Sequence, residues 1–266
     1  MKKYCLLFLI ACFIGCTPPQ SPQSPQKPVA EPQENASAPQ TEAADPETLL
    51  EQYGAKISRN KDDSLKVLKL DKCDADDSLL KWVGQQTSLE ELSLVQTKIT
   101  DAGIANLESL GKLKKLRLGN NAITDNCADS LGKLASLEDL DVSNTGLGNA
   151  ALEKIGQLPR LKNLNLYTTK IDNAGLGFLA SLTELARLNV DNCAIDDAAI
   201  EKLLPFAKLE WLHLGRTALT DAGLEKLAEM KNIKEVHITR TKITPEGAAK
   251  FREALPDCVV HDKVEE

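Results

Sequence analysis

Residues 89–104, LEELSLVQTKITDAGI, and residues 209–224, LEWLHLGRTALTDAGL, are one pattern written twice. The pattern recurs every 24 residues without insertion or deletion. The chain therefore divides into eight rows starting at Leu65, Leu89, Leu113, Leu137, Leu161, Leu185, Leu209 and Ile233. A fixed period of this length is the signature of a solenoid. Inside each row the hydrophobic spacing changes. Leu92 and Leu94 lie two apart, the strand period, whereas Ile104, Leu107 and Leu110 lie three apart along one helix face. Thr100-Asp101 between them reads as a helix start, with a side-chain oxygen to cap free N–H groups and an acid at the positive helix end.

The lengths close on themselves. A strand of about five residues rises ~16 Å, and a helix of about nine residues runs back ~14 Å. Each row thus returns to its start, displaced by one strand spacing of ~4.8 Å. This predicts an α/β solenoid, a parallel sheet with helices on one side joined by right-handed crossovers. Helices need ~10 Å each and strands ~4.8 Å, so the stack curves with the sheet on the concave side and the helices on the convex side. Two residues after the helix-starting position the row is small in nearly every case: Gly103, Cys127, Ala151, Gly175, Ala199, Gly223 and Gly247. A small residue there is expected to let the helix approach the sheet. Gly111 and Gly132 fall where helices end and read as C-caps rather than phosphate-loop fragments, since no G-x-x-x-x-G-K-(S/T) surrounds them.

The pattern L-x-x-L-x-L-x-x-(T/N/C)-x-I-T-D-x-G-L resembles the leucine-rich repeat family, and within it the Thr-Asp-x-Gly subclass of F-box-associated repeats and exported bacterial proteins. The resemblance implies a solenoid that recognises a partner. For the F-box branch it also implies substrate selection for ubiquitin ligases, but no F-box fits between Cys16 and Leu65.

Residues 1–15 read as a lipoprotein signal peptide: Lys2 and Lys3, an apolar run from Tyr4 to Ile14, then Gly15-Cys16. Phe13-Ile14-Gly15-Cys16 resembles a lipobox, with Cys16 acylated; Leu9-Ile10-Ala11-Cys12 is the alternative. Residues 16–45 are a Pro/Gln-rich linker with too little apolar surface to offset its ordering entropy. Residues 46–64 read as a helix-and-hairpin cap, 65–256 as the repeat domain, and 257–266 as a C-terminal cap with a charged tail. Without Lys2 and Lys3 the chain keeps 30 basic against 39 acidic residues, a net −9. That balance gives no general attraction to nucleic acid.

Past Cys16 four cysteines remain, Cys73, Cys127, Cys193 and Cys258. Cys73 and Cys193 share the ninth column of the rows with Thr97, Asn121, Thr145, Thr169, Thr217 and Thr241. That column is expected to point inward and bond neighbouring turns along the solenoid. Five rows separate the two cysteines, ~24 Å, too far for a disulfide, and all four read as buried free thiols.

No nucleophile has a histidine partner, and the acid pairs Asp76-Asp77 and Asp196-Asp197 fall at helix starts. The chain reads as a non-enzyme without a cofactor. His213 and His237 occupy one column of adjacent rows, half of a metal site, and no metal set is assigned to them.

Concave-face residues alternate with the inward leucines. One column runs Lys69, Ser93, Arg117, Asp141, Asn165, Asn189, His213, His237. Another runs Lys72, Gln96, Asn120, Asn144, Thr168, Asn192, Arg216, Arg240. Small polar groups fill the middle rows. Towards the C-terminal end Tyr167, Arg187, Asp191, Trp211, His213, Arg216, His237 and Arg240 gather into a candidate binding patch, of types enriched in hot spots. The expected function is a membrane-anchored, exported, monomeric scaffold in the cell envelope. It would bind a protein or glycan partner on its concave face. The alternative is a structural envelope lipoprotein with no ligand.

Overall fold

The computed structural model describes residues 45–263. The lipobox, Cys16 and nearly all of the linker lie outside the described residues. Ten strands form one sheet in strictly sequential order. β1 (Lys56–Arg59) pairs antiparallel with β2 (Leu65–Lys69). From β2 onward every pairing is parallel and steps by 24 residues, from Leu68↔Leu92 through Leu212↔Val236 to Val236↔Val260. The central leucines Leu68, Leu92, Leu116, Leu140, Leu188 and Leu212 are fully buried between sheet and helices. The flanking residues of each strand face the opposite, concave side. This is an α/β leucine-rich repeat architecture of parallel strands and short return helices. Among the described residues no helix is long and apolar enough to cross a membrane.

Before β2 stands α1 (Pro46–Gln52), N-capped by Asp45, whose carboxylate accepts from the Thr48 N–H. It ends in a Schellman turn. Gly54 adopts φ +63, its N–H donates to the Glu51 carbonyl, and the Ala55 N–H donates to the Leu50 carbonyl. At the other end α9 (Pro245–Ala254) starts on a proline, and β10 (Val259–His261) adds to β9 (Glu235–His237).

Four local readings need correction. First, Gly111 and Gly132 are not left-handed caps; Gly132 is the last residue of α4 (Ala128–Gly132), and Lys133 caps it in ordinary helical conformation. The glycines that matter at helix ends are Gly84 and Gly156, where a Cβ would stand 2.0 Å from the Asn106 and Phe178 carbonyl oxygens of the next row.

Second, the small residue near each helix start makes room for a side chain, not for the sheet. Asp77 accepts from the Thr100 N–H at 2.9 Å, Asp101 from Thr124 at 2.7 Å, Asp197 from Thr220 at 2.8 Å and Asp221 from Thr244 at 2.8 Å. The acid therefore binds the start of the following row. A Cβ at Gly103 would meet Asp77 Oδ1 at 2.2 Å, and one at Gly247 would meet Asp221 Oδ1 at 2.1 Å. The rows with Cys127 and Ala199 there open with a 3-10 turn, whereas the row with Ala151 opens as α-helix.

Third, most ninth-column hydroxyls bond their own row: Thr145, Thr169 and Thr217 donate to the Val142, Leu166 and Leu214 carbonyls. The expected bonding between rows holds at Asn121 and Cys193, which donate to the Leu94 and Leu166 carbonyls of the preceding row; Asn121 also accepts from the Thr97 N–H and hydroxyl. Fourth, all four cysteines past Cys16 are free, but Cys73 is only half-buried. Burial pushes the Cys127 thiol up to about 12 and raises those of Cys193 and Cys258, so these three stay protonated at neutral pH.

Candidate functional site

The turn after each strand places one residue in left-handed conformation: Lys72, Gln96, Asn120, Asn144, Thr168, Asn192, Arg216 and Arg240, with φ between +51 and +60. Asparagine accepts this backbone readily; a β-branched Thr168 or a long Arg216 does so at a cost of about 1 kcal/mol. The conformation continues the inter-row ladder. The Thr168 N–H donates to the Asp191 carbonyl at 3.0 Å, and the Arg216 N–H donates to the Thr239 carbonyl at 2.9 Å. It also swings the Arg216 side chain back over the preceding row. The column of asparagines was the only sequence signal for this turn.

Arg216 makes a bidentate pair with Asp191. Its Nε donates to Oδ1 at 2.8 Å and its Nη2 to Oδ2, while the carboxylate is 5% exposed. Asp191 holds the Arg216 guanidinium well above its ordinary pKa. The two arginines one strand apart, Arg216 and Arg240, are thus not two free charges. Gly215 leaves space for this arrangement, since a Cβ there would stand 2.7 Å from the His213 ring. The Gly215 N–H donates to His213 Nδ1 at 3.2 Å. In the rows before, Asn165 and Asn189 accept the same bond from Tyr167 and Asp191.

The aromatic residues are less available than their residue types promise. Arg187 lies 4.3 Å over the Trp211 ring, and Arg216 lies 5.0 Å over the Tyr167 ring. Trp211 packs at 5.8 Å from His213 and 5.2 Å from His237, and both Trp211 and Tyr167 are half-buried. The patch therefore presents charge rather than bare aromatic surface.

Three residues absent from the sequence-derived patch join it: Thr239, His261 and Lys263. His261 falls 24 residues after His237, and β10 carries it into the same column. The His213 and His237 rings stack at 4.7 Å and the His237 and His261 rings at 4.1 Å. Lys263 follows at the rim. Asp191, His213, Arg216, His237, Thr239, Arg240, His261 and Lys263 line an open groove of about 520 Å³. Arg240 and Lys263 are exposed and form no ion pair among the described residues. Arg187 and Trp211 lie outside this groove and border a second depression with Arg117, Asp139 and Asp141. The chain's own spacing of 24 could have found His261; nothing in the repeat pattern marked Lys263.

A family model described as a leucine-rich repeat region matches residues 101–257, more than half of the chain. The chain belongs to the leucine-rich repeat family. A second model, a single leucine rich repeat, matches residues 85–107. No curated protein sequence matches this leucine-rich repeat chain. Among solved structures it is similar to an internalin C2 from Listeria monocytogenes. The similarity has a TM-score of 0.62 and 23% identity, over 75% of this chain and 81% of that one. At that identity the likeness is one of fold.

Proposed function

We propose that this leucine-rich repeat protein is a non-enzymatic binding scaffold whose C-terminal concave groove takes an anionic partner, an acidic protein segment or an acidic glycan. The observation that carries the reading is the groove's charge. Among the described residues Arg240 and Lys263 form no ion pair, and they stand beside a compensated Asp191–Arg216 pair in a chain whose net charge is −7. Composition does not account for such a cluster, and local positive potential steers acidic ligands. Asp191 prevents Arg216 from repelling Arg240 and holds its guanidinium in place, so the groove is pre-organised.

We place the scaffold in the cell envelope, tethered through acylated Cys16 with residues 16–45 as spacer. Crosslinking in intact envelopes with the full chain as bait tests both parts. The Arg240→Ala, Lys263→Ala double variant should lose the captured partner, and Lys69→Ala at the far end should keep it. Cys16→Ala should move the chain from membrane to soluble fraction. Capture that survives the double variant, with circular dichroism unchanged, places the binding surface elsewhere. Retention of Cys16→Ala on membranes removes the proposed anchor.

A further inference from the structure

We propose that Glu235, His237 and His261 form a binding site for one transition-metal dication of the zinc type. The three side chains come from the neighbouring strands β9 and β10, at the C-terminal end of the sheet. Glu235 Oε1 lies 2.8 Å from His237 Nε2 and 3.4 Å from His261 Nε2, and the three donor atoms all lie within 4.8 Å of one another. Both imidazoles thus turn the same nitrogen towards the same carboxylate oxygen. Hydrogen bonding alone needs only one of them there. Two imidazole nitrogens and a carboxylate are also the donor set of many zinc sites with an open fourth position.

The distances come close to coordination. A zinc ion about 2.0–2.1 Å from each donor holds tetrahedral ligands roughly 3.4 Å apart. The Glu235–His261 separation is already there. The Glu235–His237 pair opens by about half an ångström. The two rings, now nearly parallel at 6°, tilt their Nε2 edges together. Side chains that are 22% and 37% exposed have room for that rotation. On the inner side His237 is braced by the stacked His213 ring and by Trp211, which limits how far it strays from the site.

This proposal does not depend on the groove's ligand. Its probe is the metal alone. The full chain is titrated with cobalt(II), whose visible ligand-field band reports tetrahedral coordination, and zinc is then added to displace it. One equivalent of cobalt should give the band, and zinc should abolish it. Glu235→Gln and His261→Ala should each weaken binding by at least about tenfold, while Lys69→Ala at the far end of the sheet leaves it unchanged. Circular dichroism checks that each variant is folded. No band, or a band undiminished by His261→Ala, overturns the proposal. So does a thiolate charge-transfer band, which would assign the ion to cysteine.

Discussion

His213 shows how one residue in a periodic structure acquires individual chemistry. Its column is otherwise Asn, Asp, Ser or a cation, and only the last rows carry imidazoles. Burial lowers the His213 pKa below its ordinary 6.5, helped by His237, Arg216 and His261 and opposed by Asp191. The folded chain therefore binds fewer protons than the unfolded chain just below pH 6.5. Stability from this group is complete above that value and is lost as pH falls through the folded-state pKa. Protonation at Nδ1 would also break the bond accepted from the Gly215 N–H. Asn is the substitute the chain itself uses, since Asn165 and Asn189 accept the equivalent bond. We expect His213→Asn to flatten the fall in stability between about pH 7 and about pH 5, measured by denaturant unfolding at each pH. An unchanged slope would mean that His213 titrates alike in both states.

At the scale of the element, the rows are joined by a side-chain ladder that the helix starts share. Asp221 accepts from both the N–H and the hydroxyl of Thr244, and Thr244 caps α9 through the Gly247 N–H. Gly247 is small because Asp221 fills the space its Cβ would take. Alanine in a helix is otherwise better than glycine by about 1 kcal/mol. Gly247→Ala alone should therefore destabilise by roughly 1–3 kcal/mol through overpacking. In an Asp221→Ala background the same change should be neutral or stabilising. A double-mutant cycle by chemical denaturation reads the sign reversal. Additive effects would mean that Asp221 and Gly247 do not share that space.

At the scale of the whole molecule, stability is a sum over neighbours rather than a property of one central core. Leu166 is fully buried, and its N–H donates to the Asn189 carbonyl of the next row. Leu166→Ala should cost on the order of 3 kcal/mol through transfer and cavity terms. The loss should reach both flanking rows, visible as lowered amide protection in Leu140 and Leu188 as well as in Leu164. A cost under about 1 kcal/mol would falsify the assignment of Leu166 to the interior. The same one-dimensional logic explains why the ends differ from the middle. The first row is covered by the antiparallel β1, and the last by β10, which ends in His261.

The 24-residue period of leucines was legible in the chain alone, because burying one face of a strand and one face of a helix imposes a spacing that any reader of the pattern can count. That period gave the parallel order, the inward leucines and the concave columns, including the ring stack of His213 on His237. It also contained His261, one period beyond His237, once β10 is recognised as a further strand. The tertiary structure alone decided which charges remain free. Asp191 lies 25 residues before Arg216 and takes its charge, because a left-handed turn aims that arginine backwards across the sheet. The Arg187 and Arg216 side chains likewise cover Trp211 and Tyr167, which composition would have counted as exposed. Pairings between rows depend on side-chain direction at single turns, and direction is set by backbone conformation and packing rather than by the identity of the residue.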